Sequence, residues 1–148
     1  MGPDASAAGT GTVRPLRVLF ASANAGSRHG LYRHGAVTPW RVFIGPHGDA
    51  LVLGYGIPHA GMLDQMRVEL LRYTPPERMR GDPEALPADI FCAALVAFEA
   101  MTGEPFFGDW ASDEIGDHHI RRRLDELPDF VADVFYGCLR IRPEYRLQ

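Results

Sequence analysis

Apolar residues run almost unbroken from Ile90 to Met101, and only Glu99 interrupts them. A helix that is apolar on nearly every side has no face for solvent and must be buried all round. Twelve residues is long for a buried strand, and the alanine content favours a helix. The ends are punctuated: Pro87 suits a first turn, Asp89 suits the positive N-terminus, and Gly103 suits a C-terminal stop. The remaining chain is therefore predicted to pack around a central helix over residues 86–103.

The flanking patterns are less uniform. Residues 1–12 are small and polar and predict a disordered tail, leaving 13–148 as the folded domain. Residues 13–29 read as a helix, opened by Pro15 and striped by Leu16, Leu19 and Phe20. A loop containing Pro39 follows over 30–41. Residues 41–44 and 50–53 then flank a turn, Gly45-Pro46-His47-Gly48-Asp49, and predict a short β-hairpin. Residues 54–58 read as irregular, 59–75 show no clean period, and 76–80 predict one short helical turn. After Gly103 comes a loop rich in aromatics, Phe106, Phe107 and Trp110 among them. Ser112 with Asp113 and Glu114 resembles a helix start and predicts a charged helix through Arg123. Leu127-Pro128-Asp129 opens another, in which Phe130, Val131, Val134, Phe135, Cys138 and Leu139 recur at helical spacing. The fold class is mainly α, of the α+β kind: a helical domain around one buried helix, with a short hairpin.

Composition narrows the chemistry. The 148 residues suffice for one domain with a real core, and 46% hydrophobic with 23% charged content is ordinary for a globular protein. A net charge of −4 gives no electrostatic case for nucleic acid or an anionic membrane as partner. All 15 basic residues are Arg, so a Schiff-base lysine, a P-loop lysine and a lysine general base are excluded within this sequence. Cys92 and Cys138 both sit in apolar helical stretches and read as small core hydrophobes of a reducing compartment, which makes a cytoplasmic location the expectation. No apolar run approaches the roughly 20 residues that span a bilayer. The start lacks the basic and apolar regions of a signal peptide; Gly2 and Ser6 match the myristoylation pattern only formally.

The order of landmarks from Val13 to Arg146 resembles the C-terminal lobe of a eukaryotic-like Ser/Thr protein kinase. The family's catalytic loop, His-Arg-Asp-Leu-x-x-x-x-Asn, corresponds to His34-Gly35-Ala36-Val37-Thr38-Pro39-Trp40-Arg41. Its Asp-Phe-Gly corresponds to Gly54-Tyr55-Gly56, and its Ala-Pro-Glu to Pro75-Pro76-Glu77, preceded by Tyr73. The central helix supplies the family's Asp at Asp89 and its Glu-x-x-Thr-Gly at Glu99-Ala100-Met101-Thr102-Gly103. Cys138-Leu139 with Pro143 and Arg146 matches Cys-Leu-x-x-x-Pro-x-x-Arg. The intervals also suit the family: 20 residues from His34 to Gly54, 23 more to Glu77 and 12 more to Asp89.

The departures decide what the resemblance implies. Ala36 stands in the place of the catalytic Asp, and a methyl group cannot accept a proton. Arg41 stands in the place of one metal ligand, and Gly54 in the place of the other. The Gly-rich loop and strand lysine of the N-terminal lobe have no counterpart here. No catalytic residue, no cofactor and no metal ligand is therefore expected. The resemblance implies architecture instead: a buried ion pair between Glu77 and Arg146, and an Asp89 that accepts hydrogen bonds from the backbone of the His34 loop.

The leading expectation is a catalytically inactive, truncated pseudokinase that acts as a protein-binding scaffold or regulator. Apolar surface around Leu16–Phe20 and the hairpin is the first candidate contact for a protein partner or a second copy. Phe106, Phe107 and Trp110 are the second, although for Phe106 simple packing under the central helix is the expectation. A different class is an atypical metal-dependent enzyme: Glu114 and His118 are i, i+4 on the predicted charged helix, although adjacent His118 and His119 should point to different faces. A third reading has another chain supply an N-terminal lobe and complete a kinase-like unit.

Overall fold

The computed structural model describes residues 34–35, 37–54, 70–82, 86–108 and 115–147. In chain order these form a 3-10 turn at Pro39–Arg41, strands β1 (Val42–Ile44) and β2 (Ala50–Val52), and helices α1 (Pro76–Arg80), α2 (Leu86–Thr102), α3 (Asp117–Leu124) and α4 (Asp129–Cys138). A second 3-10 turn, Pro143–Tyr145, follows. The architecture is mainly helical with one two-stranded antiparallel sheet.

α2 is the predicted central helix. Residues 88–98 are buried at every position, so no stripe faces solvent until Ala100. Its rings organise the core around it. Phe98 meets Phe106 and Phe135 edge-on at 4.8 and 5.8 Å, and Phe91 stacks on Phe107 at 6.0 Å. Removing one such ring costs about 3–5 kcal/mol, because its transfer energy is lost and a cavity remains. Phe106 thus packs under the central helix as expected, and Phe107 is a core residue too, which overturns the partner-surface reading for Phe107; Trp110 lies outside the described residues. Thr102 ends the helix by donating its hydroxyl to the Phe98 carbonyl, and the Gly103 N–H reaches the Glu99 carbonyl at 2.8 Å.

The hairpin forms where predicted, with register Val42↔Val52, Phe43↔Leu51 and Ile44↔Ala50. Arg41 belongs to the preceding 3-10 turn rather than to the strand. At the tip, the Gly45 N–H donates to the Asp49 carbonyl at 2.7 Å. A Cβ at Gly45 would stand 2.6 Å from the Asp49 carboxylate, a contact that the exposed Asp49 side chain relieves by turning away. Phe43, Ile44, Leu51 and Leu53 are all exposed.

α3 and α4 differ from the sequence reading in two ways. The charged helix starts at Asp117, behind an extended Gly116, whereas residues 112–114 lie outside the described residues. The His119 ring caps this start by accepting the Gly116 N–H at 3.3 Å. Ile120 and Leu124 point inward, and Arg121, Arg122 and Arg123 fill the last turn, where cations suit the negative helix end. In α4 the apolar run is wider than the buried face. Val131, Phe135 and Cys138 are buried, but Phe130 and Val134, one step of about 100° around the helix, are 64% and 43% exposed. Cys92 and Cys138 are both buried and free, without a disulfide. No described helix is long and apolar enough to cross a membrane. The predicted tail 1–12 and helix 13–29 fall outside the described residues.

Candidate functional site

Asp89 lies in the first turn of α2 and is fully buried. Its carboxylate accepts the backbone N–H groups of His34 at 2.5 Å and Gly35 at 2.8 Å. Burial raises this carboxyl above its ordinary value, and the two N–H bonds oppose that rise. The central helix therefore holds the loop by two charge-assisted bonds to backbone rather than to side chains.

His34 extends the connection to the hairpin. Its Nε2 lies 3.0 Å from the Leu53 carbonyl, a contact that requires the Nε2–H tautomer to donate. Burial lowers its pKa below the usual 6.5, so the ring is neutral near pH 7. One residue thus joins helix, loop and strand end. Ala36 lies outside the described residues; Val37 beside it is buried.

Arg41 and Gly54 meet at the base of the hairpin. The Arg41 carbonyl accepts the Leu53 N–H at 2.8 Å, and the Arg41 Nη1 donates to the Gly54 carbonyl at 3.3 Å. Gly54 has φ +78°, and a Cβ there would stand 3.2 Å from that same Nη1. The guanidinium thus lies against a backbone position that presents no side chain. Tyr55 and Gly56 fall outside the described residues. Chemically, this site offers a fixed cation and carbonyl oxygens, and its one described carboxylate, Asp89, is committed to backbone.

Glu77 and Arg146 are brought together on the other side of α2. The two terminal nitrogens of Arg146 donate to the two Glu77 oxygens at 2.6 and 2.7 Å. The same guanidinium donates to the carbonyls of Pro87 at 2.9 Å, Arg140 at 2.8 Å and Ile141 at 3.3 Å. All five of its N–H groups are used, and its face lies 4.6 Å from the centre of the Phe91 ring. Both side chains are buried.

Other connections join residues that the sequence does not pair. The Tyr73 hydroxyl donates to Glu99, the Cys92 thiol donates to the Tyr73 carbonyl at 3.1 Å, and Trp40 meets the Tyr73 ring edge-on at 5.8 Å. The signal for Tyr73 is Glu99 itself, since a lone carboxylate in an apolar helix needs a donor. Asp117 accepts the Ile141 N–H at 3.2 Å and approaches Arg140 at 3.7 Å, tying α3 to the segment after α4.

The metal alternative pairs His118 with a residue outside the described set. His118 and His119 are exposed, and their rings lie 3.8 Å apart at 39°, facing one another rather than diverging, because His119 folds back onto Gly116 in the first turn. Glu114 lies outside the described residues. Among the described residues no group of three His, Cys, Asp or Glu could hold a metal ion.

Similarity to known proteins points in one direction. Serine/threonine-protein kinase PkaA of Streptomyces coelicolor is 32% identical over 77 residues, which is 50% of this chain and 14% of that protein. A probable serine/threonine-protein kinase, PknB of Corynebacterium glutamicum, is 27% identical over 108 residues, 68% of this chain and 17% of its own length. A probable serine/threonine-protein kinase of Corynebacterium efficiens is 24% identical over 110 residues, 68% of this chain and 16% of its own. The chain thus spans 14 to 17% of the length of these relatives. The similarity supports a kinase-like relationship to bacterial serine/threonine protein kinases. No family model matches the chain.

Proposed function

We propose that this chain is a degenerate kinase-like C-terminal lobe that does not transfer phosphate and acts by binding a protein, as a scaffold or regulator. The observation that carries the reading is the contact of Arg41 with the Gly54 carbonyl. By resemblance these two positions correspond to the metal ligands of a kinase. A guanidinium fixed there repels a divalent cation, by roughly 4 kcal/mol per pair of unit charges at 4 Å near a protein surface. Ala36 adds that no side chain at the corresponding loop position can accept a substrate proton. Phosphoryl transfer relies on positioning and charge, and this site has neither the base nor the metal ligands.

What is retained is framework: Asp89 on the His34 loop, and Glu77 with Arg146. The exposed hairpin residues Phe43, Ile44, Leu51 and Leu53 supply an apolar surface of the kind that meets a protein partner or a second copy. A kinase-like unit completed by another chain still meets Arg41, Gly54 and Ala36 at the reacting centre. The test is thermal melting with ADP or ATP and Mg²⁺, alongside a phosphate-transfer assay on a generic protein substrate. No shift and no transfer are expected; a clear Mg·ATP-dependent rise in Tm, or transferred phosphate, overturns the reading.

A further inference from the structure

Two observations on α4 belong to neither the His34 loop nor the hairpin. The first is apolar. Phe130 is 64% exposed and Val134, one turn on, is 43% exposed. Leu147, itself half exposed, runs alongside: its N–H donates to the Gly137 carbonyl at 2.9 Å, and its side chain fills the space where Gly137 lacks a Cβ. Phe130, Val134 and Leu147 therefore continue as one strip along the outward side of the helix.

The second is electrostatic. Beside that strip, α3 and α4 enclose an open cleft of about 440 Å³, and Asp125, Asp129 and Asp133 line it. Asp129 and Asp133 are i, i+4 on α4 and edge the apolar strip. Among the described residues no ion pair uses any of the three. The one cation in the lining, Arg121, lies with its guanidinium 4.0 Å from the centre of the Tyr136 ring. The cleft is left with an excess of negative charge.

We infer that this outward face of α4 docks a protein segment that is apolar along one side and carries Arg or Lys beside it. The apolar side covers Phe130, Val134 and Leu147, and the cation enters the cleft between Asp125, Asp129 and Asp133. Charge argues for this occupant over a second copy. A two-fold axis that packs α4 antiparallel on its own image sets the aspartate edge of one helix against the aspartate edge of the other. Like charges so juxtaposed oppose the pairing, whereas a basic border completes it. The inference does not depend on the loss of phosphoryl transfer, because the face is built from different elements than the Arg41 site.

The test selects a displayed library of random short peptides on the full chain, with the Phe130→Ser and Asp133→Arg variants as comparison targets. Both side chains are exposed, so each variant should melt with the parent protein, which separates lost binding from lost folding. Enriched peptides are expected to combine large apolar residues with Arg or Lys. They should bind the parent at least roughly tenfold tighter than either variant and weaken as salt is raised. Peptides without basic residues, or equal binding to parent and variants, overturn the inference. Concentration-dependent self-association that Phe130→Ser abolishes also overturns it, by assigning the face to a second copy.

Discussion

Arg146 sets its two terminal nitrogens 2.6 and 2.7 Å from the two oxygens of Glu77, across 69 residues of chain. Glu77→Ala leaves a buried guanidinium without its counter-charge, and the expected loss is about 3–5 kcal/mol in denaturant unfolding. Arg146→Lys should also destabilise clearly. An ammonium has three donors and a point geometry, where the guanidinium uses five in a plane. A lysine variant as stable as the parent would show that the carbonyl contacts contribute nothing.

Asp89 holds backbone, so its replacement should be felt in the loop. Asp89→Ala orphans two N–H groups, at an expected cost of about 1–3 kcal/mol for each that stays buried. Asp89→Asn retains one acceptor and should be the milder variant. Amide hydrogen exchange at His34 and Gly35 should accelerate in both, ahead of exchange in α2.

His34 makes stability depend on pH. Its folded pKa is lowered by burial, so below 6.5 the unfolded chain binds the proton more readily than the folded one. Its contribution is complete above pH 6.5 and is lost as pH falls through the folded pKa. Tm should therefore drop on acidification below 6.5, and His34→Gln should flatten that part of the profile. An unchanged profile in the variant would assign the acid sensitivity to other groups.

The two cysteines should be silent in the native state. Both thiols are buried, and desolvation pushes each from 9.0 up to about 12, so almost no thiolate forms. Labelling by a thiol reagent should be slow at neutral pH and rise steeply only in denaturant, in step with loss of helix. Fast labelling of Cys138 in native protein would mean that α4 opens locally.

Much of the framework is legible in the sequence for a physical reason. An apolar run with one proline, one aspartate and one glycine at its borders admits few structures besides a buried helix, and α2 follows. The position of Asp89 at that border marks a helix N-terminus, but its bonds to the His34 loop follow from the resemblance alone. The partner of Glu99 is not readable, because Tyr73 lies 26 residues away and no periodicity links them. The start of α3 is misread because Ser112 with Asp113 and Glu114 has the local chemistry of a cap, while Gly116 and the His119 ring perform it. The exposure of Phe130 and Val134 escapes for a further reason. Helical spacing counts apolar residues but not the neighbours that would cover them. At the Arg41 site, resemblance supplies the correspondence and the structure supplies the contact with Gly54.

The anchors around α2 also govern how the chain reaches this state. Asp89 closes onto His34 over 55 residues, Glu99 onto Tyr73 over 26, and Glu77 onto Arg146 over 69. Such loops are closed at an entropic cost before their contacts contribute, so the slow step of folding is the gathering of distant segments rather than the winding of any helix. Among the described residues, these three contacts each join segments far apart in the chain. A cut between Glu77 and Arg146 separates a buried acid from its base, and a cut between His34 and Asp89 separates the loop from its post. The described segments tied by these three contacts are therefore expected to unfold together, and a protease that cuts between either pair of anchors should find the segments they join already opening.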